Sequence, residues 1–370
     1  MHSKAHTFDN LQFLRHPISD NKTLRAWNAA DEHLLKVLHS WQETNGRLQA
    51  GKLTIVNDRF GFLSTNLASR QPNIVRNLQS QQQAITNNLY LNGFSREVNF
   101  KSPLDVLLPQ QQIGLINIPK SLDLFQLYLY QLSVCLDSEG TVYAGFMTRN
   151  FSPQLLKIAA KYFREVQQTK AWKKSRVLVL KKPIQSTLTL DFIHKINFGK
   201  EQYQQYYGVF SAKHIDYATQ FLIQHLATPA AGDCVLDLAS GNGILAACIR
   251  NIQENCQIHL IDDSFLAVAS SQKNIATHNS YFHHHSNLSI FKDAMFDWII
   301  SNPPFHFEYD IDINIPLKLF REVHRCLSAN GQFMLVYNRH LNYQNHLKEY
   351  FSRLSIVAQN DKFIILLCGR

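Results

Sequence analysis

The sequence predicts two tandem α/β domains, each a doubly wound, mostly parallel sheet with helices on both faces. Three observations carry this reading. Helix-like and strand-like stretches alternate through the second half of the chain. The run "DWIISNPPFHF" lacks the in–out alternation of a half-exposed strand and stops on Asn302-Pro303-Pro304-Phe305, as a central parallel strand would. The same grammar also occurs twice. "KLTIV" ends in Asn57-Asp58-Arg59-Phe60-Gly61 where "CVLDL" ends in Asp237 and a glycine loop, and "IGLINIPK" ends at Asn117-Ile118-Pro119 where the later strand ends at Asn302-Pro303-Pro304. The separations are close, 117 − 57 = 60 and 302 − 237 = 65 residues, which points to an internal duplication.

Taken in order, the second half opens with an amphipathic helix (Ala218 to Leu226), then "CVLDL", the glycine loop and a helix from Ile244. The strand "QIHLI" and a helix from Ser264 with Phe265, Val268 and Ile275 on one stripe follow. Strands "SIF" and "DWIIS", helix "IPLKLFREVHRCL", strand "QFMLV" and a closing pair, "SIVA" and "FIILL", complete the domain. The first copy keeps the order but has lost its ligand loop, because Asn57 to Gly61 offers one glycine where close backbone approach needs more. The expected boundaries are a degenerate first domain over 1–184, a connector over 185–207 and the catalytic domain over 208–370.

A chain of 370 residues with 45% hydrophobic and 18% charged residues fits an ordinary two-domain globular protein. No apolar run approaches the length of a membrane helix, and Met1 to Leu14 has no apolar signal core, so a cytoplasmic protein is expected. The six cysteines match no zinc or CxxC spacing and read as thiols, and His283-His284-His285 reads as a polar loop, so no metal is expected. Charge divides the chain. Residues 1–200 hold 25 Lys+Arg against 13 Asp+Glu, a balance of +12, and residues 201–370 hold 12 against 15, a balance of −3. That asymmetry suggests a polyanion held by the first half while the second does chemistry.

Asp237-Leu238-Ala239-Ser240-Gly241-Asn242-Gly243 joins a buried strand to a helix, and Gly241 and Gly243 permit close backbone approach beside a helix N-terminus. Asp262, about twenty residues on, is placed to accept the hydroxyls of a ribose. Asp293, after the next expected strand, is placed to receive an adenine amine. Together they argue for a nucleoside ligand.

A nucleoside lying over the first strands and an Asn-Pro-Pro-aromatic tetrad at the end of the fourth is the arrangement of S-adenosylmethionine-dependent amino methyltransferases. An exocyclic base amine is a poor nucleophile, because its lone pair is delocalised into the ring. The Asn302 amide oxygen and the Pro303 carbonyl can each accept an N–H and turn the lone pair toward a methyl donor, while Phe305 can stack on the base for roughly 1–3 kcal/mol. The tetrad alone does not choose among adenine, guanine and a protein glutamine amide.

Along nearly its whole length the chain resembles the bacterial ribosomal RNA large subunit methyltransferase G family. The first half resembles it at "LRAWNAADEHLL", "IVNDRFG", "IPKSL" and "AWKKSR", and the second at "GVFS", "VLDLASGNG", "IDDSFLAVASSQKN", "SNPPFH", "HRCLSANG" and "YNRHL". The first-half motifs separate this family from its sister, the small-subunit guanine-N2 methyltransferases. The resemblance implies two class I (Rossmann-like) methyltransferase domains, the N-terminal one degenerate and helping to hold RNA, in a protein expected to be monomeric. It implies transfer of a methyl group from S-adenosylmethionine to the N2 amine of a guanosine in 23S ribosomal RNA. It places Asp237, Ala239, Gly241, Gly243, Asp262 and Asp293 at the cofactor, and Asn302, Pro303, Pro304 and Phe305 at the guanine. The chain departs from the family pattern at Ala239-Ser240, usually Gly-Cys; at Asp293, usually an amide; and at Ala212 and Ala218, usually arginine and glycine. The alternatives are a 16S ribosomal RNA methyltransferase and a catalytically silent RNA-binding assembly protein.

Overall fold

A computed structural model describes residues 6–18, 21, 23–95, 98–184, 191–303 and 314–370, the side chains of 314–317 excepted. The chain divides into two compact units, Met1–Phe192 and Ile193–Arg370. Among the described residues no helix is long and apolar enough to cross a membrane.

The first unit opens with a small antiparallel pair, β1 (His6–Phe8) and β2 (Leu11–Phe13). There follow α1 (Ala29–Asn45), β3 (Leu53–Val56), α2 (Phe62–Asn66), β4 (Asn73–Val75), α3 (Gln79–Leu91), β5 (Asn99–Lys101) and β6 (Gln111–Asn117). The unit ends with α4 (Leu122–Cys135), β7 (Leu136–Met147), α5 (Pro153–Ala159), β8 (Phe163–Gln168) and β9 (Ser175–Pro183). Its seven-stranded sheet runs β5-β4-β3-β6-β7-β9-β8, parallel except where β9 pairs with β7 and β8.

The second unit opens with the hairpin β10 (Ile193–Phe198) and β11 (Glu201–Tyr206), so residues read from the sequence as connector are structured. It continues through α6 (Tyr217–Ile223), β12 (Cys234–Leu238), α7 (Ile244–Ile252), β13 (Gln257–Asp262), α8 (Phe265–Asn274), β14 (Ser280–His284) and β15 (Phe296–Ser301). It closes with α9 (Asn314–Cys326), β16 (Leu327–Asn338), α10 (Gln344–Leu347), β17 (Arg353–Gln359) and β18 (Phe363–Gly369). Its sheet runs β14-β13-β12-β15-β16-β18-β17. This is strand for strand the order of the first unit, so the two sheets are the two copies of one plan that the sequence implied.

The central strands carry no alternation because both faces are covered. On one face of the second sheet Leu236, Ile299 and Leu335 pack in a core with Phe320 and Val323 of α9. On the other, Val235, Ile258 and Ile300 pack with Leu222 of α6 and Ile244, Leu245 and Ile249 of α7. One expected strand is wrong. "SIF" (289–291) forms a turn, and the third strand is β14, in which His283 and His284 lie. The His283 ring lies 5.2 Å from and nearly parallel to that of His259 on β13, with Nε2 3.0 Å from His259 Nδ1. Burial holds the His259 imidazole down to about 4, so both rings serve as neutral packing groups.

Register equates positions in the two units. Val56 pairs with Val75 and Ile116 as Leu238 pairs with Ile261 and Ser301. The residues just beyond these carboxyl ends are therefore counterparts: Asn57 and Ala239, Arg76 and Asp262, Asn117 and Asn302. The strand order reverses at the central strand of each sheet, and open α/β sheets take ligands at that edge.

Candidate active site

The loop from Ala239 to Gly243 is built on left-handed backbone. Ala239, Gly241 and Gly243 have φ of 60°, 55° and 80°. The two glycines do different things. A Cβ on Gly243 would stand 2.8 Å from Ser271 Cβ and 2.9 Å from Ile275 Cδ1, so this glycine lets α7 begin flush against α8. A Cβ on Gly241 would meet no heavy atom within 4 Å, and this open side is where a ligand can approach the backbone. Ala239 takes the left-handed conformation without a glycine's freedom, a local strain of roughly 1 kcal/mol.

Asp237 is fully buried beneath the loop. Its Oδ2 accepts the Ala246 N–H at 3.1 Å in the first turn of α7, and its Oδ1 has no partner among the described residues. Burial pushes its carboxyl up to about 7. The buried Ser240 hydroxyl likewise lacks a partner among the described residues. Orphaned buried polar atoms are uncommon, and two of them under an open glycine loop fit a polar ligand seated there. Asp262, at the end of β13, accepts the Gly241 N–H (2.9 Å) on Oδ2 and the Ser264 N–H (2.8 Å) on Oδ1. Each oxygen keeps a second acceptor site, which together suit a pair of vicinal hydroxyls. Burial raises its carboxyl to about 6.

Asp293 does not join this group. It lies three residues before β15 begins, at the amino edge of the sheet, where its Oδ1 pairs with Arg325 Nη1 at 2.7 Å. The misplaced strand caused the misplaced acid. Beyond the true third strand comes His285-Ser286-Asn287, and Asn287 is the amide-bearing residue at the carboxyl edge.

Asn302 stands at the end of β15, half-buried, with Pro303 buried beside it. Its Nδ2 donates to Asp216 Oδ2 at 3.0 Å and to Thr219 Oγ1 at 2.8 Å. The preceding Ser301 hydroxyl donates to the Leu238 carbonyl at 2.6 Å, tying β15 to β12 at the switch point. Pro304 and Phe305 lie outside the described residues. Asp237, Ala239, Gly241, Gly243, Asp262 and Asn302 thus gather at one sheet edge.

The hairpin at the start of the unit contributes bracing residues. Asn242 Nδ2 donates to Gln205 Oε1 at 3.0 Å, and Gln205 Nε2 donates to the carbonyls of Val209 and Phe210. Asn274 Nδ2 donates to the carbonyls of Gln204 and Asn242, both at 2.8 Å. The glycine loop is thereby tied to β11, to α8 and to "GVFS". Only the "GVFS" match in the sequence hinted at this. The capping pattern of "HIDYATQ" was the available signal for Asp216 and Thr219.

In the first unit the corresponding edge is filled by its own side chains. Asn57, with φ 60°, donates from Nδ2 to the Asn117 carbonyl at 2.8 Å and accepts Gln81 Nε2 on Oδ1 at 2.9 Å. Gly61 has φ 83°, and a Cβ there would stand 2.8 Å from Ile85 Cα, the same packing role as Gly243. Arg76 stands where Asp262 does.

The chain is similar to known proteins. Over 97% of this chain and 95% of the other, the fold matches RsmC, the T. thermophilus 16S rRNA N2 methyltransferase solved with AdoMet and guanosine, at TM-score 0.77 and 18% identity. A SAM-dependent methyltransferase from Aquifex aeolicus matches 41% of this chain and 89% of its own at TM-score 0.34 and 15% identity. One from Mesorhizobium loti matches 41% and 98% at TM-score 0.33 and 14% identity. Residues 202–367 match the methyltransferase small domain, and residues 1–185 match the RLMG N-terminal domain. The chain belongs to the ribosomal RNA large subunit methyltransferase G family.

Proposed function

We propose that this protein transfers the methyl group of S-adenosylmethionine to the exocyclic N2 amine of one guanosine in 23S ribosomal RNA, acting as a cytoplasmic monomer. The observation that carries the reading is Asn302 at the switch point, its amide nitrogen tied inward so that its oxygen is what remains to accept a substrate N–H, beside the unpartnered Asp237 Oδ1 and the Asp262 carboxylate with its spare lone pairs.

S-adenosylmethionine supplies an electrophilic methyl carbon on a sulfonium. The Asp262 carboxylate would hold the ribose hydroxyls, the open backbone at Gly241 would lie against the donor, and Asp237 beneath the loop would accept a ligand or water donor on Oδ1. Asn302 Oδ1 and the Pro303 carbonyl would accept the two amine protons. That rotates the nitrogen lone pair out of conjugation and aims it at the methyl carbon. The bound donor would supply the methyl carbon and leave as its neutral thioether, and the surplus amine proton would pass to solvent. Such positioning needs no strong base.

RNA is the partner that fits the charge. Residues 151–200 carry 11 Lys+Arg against 2 Asp+Glu, and Lys157 on α5, Arg164 on β8, and Arg176 and Lys181 on β9 are exposed at one end of the first sheet. A polyphosphate chain would bind there with release of counterions. The 23S choice rests on the first-half motifs. A 16S target is the second reading, favoured by what RsmC acts on. Mass mapping of N2-methylguanosine in both ribosomal RNAs, from cells with and without the protein, tests it. Loss of one 23S site is expected; loss of a 16S site selects the second reading, and no change overturns both.

A further inference from the structure

Asn302 can serve as an acceptor only if its amide is held one way round, since a flip of the side chain would present N–H groups to the substrate amine. The structure shows what holds it. Asp216 caps α6, its Oδ2 accepting the N–H groups of Ala218 (3.0 Å) and Thr219 (3.3 Å), and the same oxygen accepts Asn302 Nδ2. The Thr219 hydroxyl, three residues along, accepts the second amide proton. A carboxylate has no hydrogen to donate. It therefore tolerates the nitrogen of the amide and repels the oxygen, and the flipped rotamer would set two oxygens against each other at hydrogen-bond distance.

We infer that Asp216 and Thr219 are positioning residues that lock the Asn302 amide with Nδ2 inward and thereby fix Oδ1 as the acceptor for a substrate amine, an assignment that rests on the proposed function. A plain structural tie between helix and strand is the competing account, and the first unit shows that such a tie exists there. Asp31, the third residue of α1 as Thr219 is of α6, accepts Asn117 Nδ2 at 2.8 Å. What the second unit adds is the acceptor at the cap, and the test has to separate orientation from packing.

Two measurements do so. With selective 15N-asparagine labelling, the Asn302 side-chain amide is assigned by its disappearance in Asn302→Gln, and its proton exchange is followed in the full-length protein. The wild-type amide should be protected, and Thr219→Val and Asp216→Ser should each speed exchange at least about tenfold. Serine keeps a good helix cap, yet its hydroxyl can donate as well as accept and so no longer dictates the rotamer. In methyl transfer, both variants should lower kcat about tenfold or more, with the Kd of S-adenosylmethionine and the KM of RNA within about twofold, while Thr219→Ser restores kcat. Unchanged exchange in both variants overturns the lock. So does a kcat loss that merely follows weakened cofactor binding and is not rescued by Thr219→Ser. If the wild type shows the protected amide and the variants lose it, but no RNA is methylated, the lock stands and the proposed function falls.

Discussion

The two units are one backbone with two chemistries. Their sheets share a strand order, and their first loops share left-handed residues at the same places, Asn57 with Ala239 and Gly61 with Gly243. Both end the fourth strand in an asparagine whose Nδ2 is bound by the first turn of the helix that precedes the first strand of the sheet, α1 or α6. The differences sit in a few side chains. Asn57 spans the space that Ala239 leaves open, Arg76 replaces the acid Asp262, and Arg59 occupies the position of Gly241. Loop conformation is held by packing, Gly61 against Ile85 and Gly243 against Ser271 and Ile275. It therefore needs no ligand to persist, and a left-handed loop alone is poor evidence for a cofactor.

The largest effect should come from removing the two asparagines. Asn302→Ala should lower kcat by about 100-fold or more with little change in cofactor Kd, the pattern of an interaction made near the transition state. Asn117→Ala should leave kcat within about twofold and lower only Tm. Equal kcat losses would erase the distinction between the units.

Grafting the first unit's residues onto the second comes next. Ala239→Asn should plug the site as Asn57 does, and Asp262→Arg should replace an acceptor with a cation. Each should raise the S-adenosylmethionine Kd by about 10–100-fold, the worth of one charge-assisted hydrogen bond. Ala239→Asn should not unfold the domain, because asparagine tolerates the left-handed region. Isothermal calorimetry and a thermal melt on the same sample check both halves of that statement.

A smaller effect should appear in pH dependence. Asp237 has its folded-state value raised to about 7 by burial, so between pH 4 and 7 the folded protein holds a proton that the unfolded chain releases. Stability should therefore fall as pH rises through that window, by up to about 1.4 kcal/mol per pH unit from this group. Asp237→Asn should flatten the slope in chemical denaturation. Ala239→Gly is the smallest change, raising stability by about 1 kcal/mol through relief of the left-handed alanine; no gain would mean that the loop is strained elsewhere.

How much of this was legible follows from where the signals lie. The buried strands "LTIV", "CVLDL" and "DWIIS" are apolar-rich without alternation, and the proline stop after Asn302 marks the ligand edge, so sheet, loop and the places of Asp262 and Asn302 could be read directly. β14 could not. Its "SYFHH" is polar by composition and pays its way through ring contacts with His259 that only the neighbouring strand reveals. Missing it moved the third strand about eight residues toward Asp293 and hid Asn287. Strand β11 is likewise polar, "EQYQQY", and its Gln204 and Gln205 hydrogen-bond to Asn274 and Asn242. The segment Asn57 to Gly61 reads as a loop with too few glycines; that the Asn57 side chain fills the site depends on Asn117 and Gln81, distant in sequence.

The central claim, that one unit kept the cofactor site and the other closed it from within, is tested most directly by the stoichiometry of S-adenosylmethionine binding to the full-length chain in a calorimetric titration. One molecule per chain is predicted, its Kd raised about 10–100-fold in Asp262→Arg and unchanged in Asn57→Ala. Two molecules per chain, or an unchanged Kd in Asp262→Arg, would contradict it.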